Sequence, residues 1–146
     1  MEHAYAEIRA LVERYADAVN RRDAEAFRET WTADGVWEIR GSRYVGREAI
    51  LAYWQPLMAS IPWVLQTINN GTVDVKGDAA RCRWFHTDFA VLADGTKRMA
   101  IGLYYDTCRH QDRRWRFSHR SYTRMAEIPL SSEVQTFSPT GEPMPP

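Results

Sequence analysis

His86 and Asp88 stand two residues apart in the run Ala80–Ala90, which reads as a β-strand. Side chains two apart in a strand share a face and sit about 7 Å from one another. Cys82, Trp84, His86 and Asp88 then occupy one face, and Arg81, Arg83, Phe85, Thr87 and Phe89 the other. The first set suits an ordinary aliphatic core poorly. It suits a cavity wall that needs aromatic surface and a few placed polar groups. A carboxylate beside an imidazole raises the imidazole pKa and holds its tautomer. His86 is therefore the expected proton carrier near neutral pH, with Asp88 orienting it. The plainer reading is a structural pair that meets water or a helix terminus.

Two further groups can stabilise negative charge. Tyr15 lies on the apolar stripe Ile8, Leu11, Val12, Tyr15, Val19, so its phenol is buried and needs a partner. Arg120 shares a strand face with Ser118 and Tyr122, and inside a cavity it would hold a carboxylate, phenolate or enolate. Trp115 and Phe117, on the alternate positions, compete with it for the inward direction. Trp54, Leu57, Trp84, Leu103 and Tyr105 are the expected apolar walls, with plain core as the alternative for each. No His and carboxylate cluster has metal-ligand spacing, and no Gly-rich phosphate loop, nucleophilic-Ser motif or cofactor fingerprint occurs. Chemistry without a cofactor or metal is the expectation.

The elements that must position these groups follow from periodicity. Residues 4–20 have helical spacing, Asp23 can cap a short second helix running through Phe27 and Trp31, and Ala33-Asp34-Gly35 breaks it. Val36–Ile39 is a short strand, Gly41-Ser42 turns the chain, and Arg47 to about Met58 forms a third helix limited by Pro56 and Pro62. Strands follow: Val64–Ile68 and Thr72–Val75 around a bend at Asn69-Asn70-Gly71, the long strand to Val91, a hairpin at Ala93-Asp94-Gly95, Lys97 to about Arg109, and Arg114 to about Arg124. Helices first and long strands afterwards predict an α+β domain. Its strongly curved antiparallel sheet is closed by the N-terminal helices into a cone-shaped barrel.

Composition bounds the function. The 146 residues make one domain, and nineteen basic residues balance nineteen acidic ones. Neither nucleic acid nor an anionic membrane has electrostatic support as a partner, and no apolar run is long enough to span a bilayer. The N-terminus lacks a secretory profile, and Cys82 and Cys108 read as free thiols, with a disulfide between neighbouring strands as the alternative, which points to the cytoplasm. Residues 129–146 hold five of the seven prolines and are expected to form a tail after a 1–128 domain.

Three stretches and a closing pair carry a family resemblance. They are Ile8 with Tyr15–Asp23, Trp31–Trp37, Tyr44–Ile50, and then Tyr104-Tyr105-Asp106 with Trp115–Arg120. In this order and spacing the chain resembles the SnoaL-like branch of the nuclear-transport-factor-2-like superfamily. The resemblance implies a cone-shaped barrel with a pocket between helices and concave sheet, commonly in a homodimer. Ketosteroid isomerase, scytalone dehydratase, limonene epoxide hydrolase, polyketide cyclases and a hexachlorocyclohexane dehydrochlorinase share it, as do non-catalytic binders.

The dehydratase-type Asp–His dyad falls here on Asn20 and Gln66, amides that do not titrate. They remain candidates to orient a ligand, or a structural amide pair. The dehydrochlorinase's pocket arginine falls on Arg120, the isomerase's oxyanion-hole tyrosine on Tyr15, and the epoxide hydrolase's strand pair on His86 and Asp88. The expectation is cofactor-independent acid–base catalysis on a small hydrophobic cyclic or aromatic substrate. Elimination, isomerisation, ring closure and epoxide opening stay open, as does a non-catalytic binding or assembly domain. A polyketide-cyclase-like variant would make Asp88 the acid–base group and His86 its helper. Dimerisation is expected through an outer face bearing Arg83, Phe85, Phe89 and Trp115.

Overall fold

A computed structural model describes residues 2–137. The chain opens with helix α1 (Glu2–Arg21), whose buried stripe Ile8, Leu11, Val12, Tyr15 and Val19 matches the helical period. Asp23 caps α2 (Ala24–Glu29) by accepting a hydrogen bond from the Ala26 amide at 2.9 Å. The second helix ends earlier than its pattern suggests. Trp31 already belongs to strand β1 (Trp31–Ile39), because the Phe117 amide donates to the Thr30 carbonyl and draws the chain into the sheet.

Strand β2 (Ser42–Val45) returns through Arg40 and Gly41, both at positive φ (54° and 76°), the conformation of a tight two-residue hairpin. Helix α3 (Arg47–Ala59) then crosses the open end, burying Ile50, Trp54 and Met58. Pro56 sits one turn before its end and does not stop it.

Four long strands follow: β3 (Trp63–Lys76), β4 (Ala79–Val91), β5 (Lys97–Gln111) and β6 (Arg114–Leu130). They join in the order β2-β1-β6-β5-β4-β3. One pairing departs from the antiparallel expectation: β1 runs parallel to β6, so the sheet is mixed. Strand β3 is continuous, with the expected irregularity as a bulge between Ile68 and Gly71. After the bulge the Trp84 ring packs on Gly71, where even a methyl group would collide with it at 2.2 Å. Strand β6 runs beyond Arg124 to Leu130, pairing Pro129 with Arg98. Half of the expected tail, residues 138–146, lies outside the described residues. The part that is described reaches Phe137, whose carbonyl accepts from the Trp63 indole at 3.3 Å.

The helices lie against the concave face, over a core rich in Trp31, Phe27, Phe117 and Trp84. Among the described residues no helix is long and apolar enough to cross a membrane.

Candidate active site

Every element except α2 and β2 contributes to a cavity of about 90 Å³ on the concave side of the sheet. Its floor and walls include Tyr15, Trp37, Trp54, Leu57 and Met58, its polar groups include Gln66, His86, Asp88, Tyr104 and Tyr122, and Arg40, Arg98 and Arg124 stand at its mouth. Strand β4 alternates as expected: His86 and Asp88 are buried and inward, while Arg83 and Phe89 are exposed on the convex side.

The His86 ring lies between two phenols, 4.8 Å from the Tyr104 ring and 5.0 Å from the Tyr122 ring. Its Nε2 is 3.9 Å from Asp88 Oδ2, too long for a hydrogen bond, and its Nδ1 is buried without a partner. The expected pKa rise is reversed. Burial pushes the imidazole down to about 4, and the Arg120 charge adds to that. His86 is therefore neutral at pH 7, with one donor and one acceptor. Asp88 is pushed upward from the usual carboxylate range by burial, against the opposing charges of Arg98 and Arg124. Arg98 is itself buried and donates to Asp88 Oδ1 at 3.4 Å. Burial also raises the phenols of Tyr15, Tyr104 and Tyr122, so all three stay protonated as donors.

Arg120 does point inward, but it does not reach the cavity. It is fully buried and pairs in bidentate fashion with Asp106, both contacts at 2.8 Å. Its guanidinium is packed on the rings of Phe117, Tyr104 and Tyr15 at 3.9, 4.0 and 4.2 Å. Burial opposes the charge, yet Asp106 more than offsets it and holds the guanidinium protonated. The expected competition with Trp115 and Phe117 is resolved by a bulge. Thr107 pairs with His119 and Cys108 with Phe117, so Ser118 is the extra residue and the parity of β6 changes there. Ser118 Oγ donates to the Thr107 carbonyl at 3.0 Å. Trp115 and Phe117 point inward before the bulge and Arg120 and Tyr122 after it, which removes Trp115 from the expected outer face.

Other expectations change too. Leu103 and Tyr105 are not walls, because β5 turns its even-numbered residues inward: His86 pairs with Gly102 and Trp84 with Tyr104. Trp84 is fully buried core, off the cavity, with Arg9 over its ring at 5.3 Å. Asn20 does not meet the Gln66 side chain. It clasps the Gln66 backbone instead, donating to the carbonyl at 2.8 Å and accepting from the amide at 2.7 Å. That clasp frees the Gln66 amide to face the cavity, where Nε2 donates to Tyr104 Oη at 3.2 Å and Oε1 has no partner. Trp54, Leu57, Gln66, Tyr15 and Tyr122 line the cavity as expected.

Arg98 and Arg124 were not singled out by sequence, and Trp37, Tyr104 and the Asp106 partner of Arg120 entered only through the resemblance, not as site candidates. The even-position rule for β5 was available from the register of the Ala93-Asp94-Gly95 hairpin. The greater apolarity of Met99, Ile101 and Leu103 on the odd face masked it. Cys82 and Cys108 are free thiols with their sulfurs 4.0 Å apart in the core. Among the described residues no group of three or more His, Cys, Asp and Glu side chains is placed to hold a metal ion.

A helical layer closing a curved sheet over a polar-lined hollow defines the nuclear-transport-factor-2-like fold. Within it the chain belongs to the SnoaL-like domain family, whose profile matches residues 3–121. The structure is similar to a hexachlorocyclohexane dehydrochlorinase, LinA Type2, at 20% identity, covering 95% of each chain, with TM-score 0.84. It is similar to a protein of unknown function from Mycobacterium tuberculosis, solved as an Asp-to-Asn variant, at 26% identity. That match covers 84% of this chain and 72% of the other, with TM-score 0.77. A proposed scytalone dehydratase from Novosphingobium aromaticivorans aligns at 14% identity over 97% and 93% of the two chains, TM-score 0.80. No curated protein sequence matches this one.

Proposed function

We propose that this chain is a cofactor-independent acid–base enzyme of the lyase or isomerase type, acting on a small, mostly hydrophobic cyclic or aromatic molecule. The observation that carries the reading is the inward pair His86–Asp88 in a cavity ringed by protonated phenols. Asp88 is the proton carrier. Its carboxylate borders the cavity, and burial moves its pKa toward the working range of a general base. It takes a proton from a carbon next to a carbonyl, or next to the carbon that bears a leaving group. The C–H electron pair forms a C=C bond, and either the carbonyl oxygen takes up negative charge or the leaving group departs with its own pair. Tyr104 donates to that oxygen or leaving group, and the neutral His86 donates alongside it. Arg120, paired with Asp106, lies behind the tyrosines and adds to the burial that keeps His86 neutral.

Similar structures include a hexachlorocyclohexane dehydrochlorinase and a proposed scytalone dehydratase, names that denote eliminations, the chemistry proposed here. Asp88→Asn should lower turnover at least about a hundredfold, the usual scale for a positioned base, with ligand binding retained. Equal turnover in wild type and variant would remove Asp88 from the mechanism. The competing reading, a binding domain without turnover, is favoured by Gln66, an amide where dyad-bearing relatives of the family carry the histidine. A chain that binds ligands and turns over none of them between pH 4 and 9 would support it.

The protein is also proposed to be a homodimer. Leu65, Phe89, Met99 and Ile128 pair in register across four strands of the convex face, with Phe85 opposite Leu103 beside them. Such a continuous apolar row suits an interface better than contact with water.

A further inference from the structure

The inner cavity, at about 90 Å³, is smaller than the roughly 300 Å³ at which ordinary ligand pockets begin. It does not end there. Arg40, Arg98, Tyr122 and Arg124 line both this cavity and an outer vestibule of about 600 Å³. A bound molecule that fills the first must extend into the second.

The vestibule is charged asymmetrically. Three guanidiniums face the carboxylates of Asp88 and Glu127, an excess of one positive charge. Arg124 is paired with Glu127. Arg40, held at the hairpin tip between β1 and β2, forms no ion pair among the described residues. Arg98 is 6% exposed, and among the described residues its one hydrogen bond is the 3.4 Å contact to Asp88. Charge-assisted bonds run at about 2.7–2.9 Å, and a guanidinium has five donors, so most of the capacity of Arg98 is uncommitted. Tyr122 Oη is buried beside it with no partner. A buried cation with spare donors, an unpaired second cation and an orphan phenol, all at the neck of a hydrophobic hollow, form a receptor for a planar monoanion.

We propose that the substrate carries a carboxylate, held in the vestibule by Arg98 and Arg40 with Tyr122 donating to it, while its compact hydrophobic ring enters the inner cavity beside Asp88. This rests on the cavity being the active site. It adds the class of molecule: a small cyclic or aromatic carboxylate rather than a neutral hydrocarbon, ketone or epoxide.

The test compares benzoate and cyclohexanecarboxylate with their carboxamides, which keep shape and lose charge, by calorimetry or by the fluorescence of Trp37 and Trp54. Wild type should bind each carboxylate at least about tenfold tighter than its amide, with the advantage shrinking as salt is raised. Arg98→Met should remove most of that advantage, lowering carboxylate affinity by more than amide affinity. Arg40→Gln, at an exposed turn that tolerates substitution, should reduce it partially even if the buried replacement perturbs folding. Amides that bind as well as carboxylates overturn the proposal, and so does a preference surviving both substitutions. Absence of carboxylate binding up to about 10 mM overturns it too. Deuterium exchange next to the ketone of cyclohexanone and of 4-oxocyclohexanecarboxylate separates this proposal from the functional reading. Carboxylate preference without proton exchange leaves the receptor and removes the enzyme, whereas exchange into neutral ketones alone does the reverse.

Discussion

Burial of His86 against the Arg120 charge moves its titration down to about 4, well under that of an imidazole in water. The folded state therefore binds this proton less readily than the unfolded chain does. The associated stability is complete above about pH 6.5 and is lost as pH falls through 4, amounting to roughly 3 kcal/mol. Asp88 works in the opposite sense: its raised pKa favours the folded state in acid, and that contribution disappears as pH rises through the folded value. Urea denaturation at pH 7 and pH 4.5 should show the wild type losing more stability in acid than His86→Leu does. Equal losses would mean that the imidazole is not held neutral by its surroundings. Asp106 has a different task. Asp106→Asn strands a fully buried guanidinium and should cost about 3–5 kcal/mol, lowering the melting temperature by roughly 10 °C. His86, Asp88 and Tyr15 were readable from strand and helix periodicity. Asp106 and Arg98 were not, because a charged residue on a strand announces neither its partner nor its burial.

Two irregularities in β6 decide which side chains meet the cavity. The extra residue Ser118 lets a strand bury Trp115 and Phe117 near the helices and still aim Arg120 and Tyr122 inward further along. A second shift lies opposite Ile101 and Gly102, where Tyr122 packs on the glycine. A Cβ at Gly102 would lie 2.1 Å from the Tyr122 ring. Gly102→Ala should therefore displace Tyr122 from both His86 and the vestibule, destabilising by about 1–3 kcal/mol and weakening ligand binding. Unchanged binding in a folded variant would mean that Tyr122 is not a ligand contact. The order of elements, the helix stripes and the bend at Asn69-Asn70-Gly71 all followed from period and turn chemistry. Bulges did not, since nothing local in Phe117-Ser118-His119 marks the added residue. Apolarity misled on β5, where the aliphatic face is the convex one and Tyr104, not Tyr105, turns inward.

That convex face ties the site to the assembly. In the proposed homodimer the same strands carry the interface on one side and the acid–base groups on the other, with Phe89 directly following Asp88. Phe89→Glu or Leu103→Glu should shift sedimentation from dimer to monomer. A wild type that sediments as a monomer throughout the micromolar range would remove the interface. The parallel pairing of β1 with β6 closes the sheet at its other side and sets the Arg40 turn over the cavity mouth. A cone of this kind concentrates function at one end: apolar rings at the closed base, titratable groups midway, arginines at the rim.

Proton transfer by Asp88 is measured most directly as deuterium incorporation from D2O into small cyclic ketones, with and without a carboxylate substituent, followed by NMR for wild type and Asp88→Asn across pH 4–9. Wild-type protein should catalyse exchange that rises with pH as the carboxylate ionises, then levels without a further step near pH 6.5 from His86. The variant should be at least about a hundredfold slower. Exchange at the same rate in both proteins, or ligand binding by the wild type with no exchange at any pH, would contradict the account.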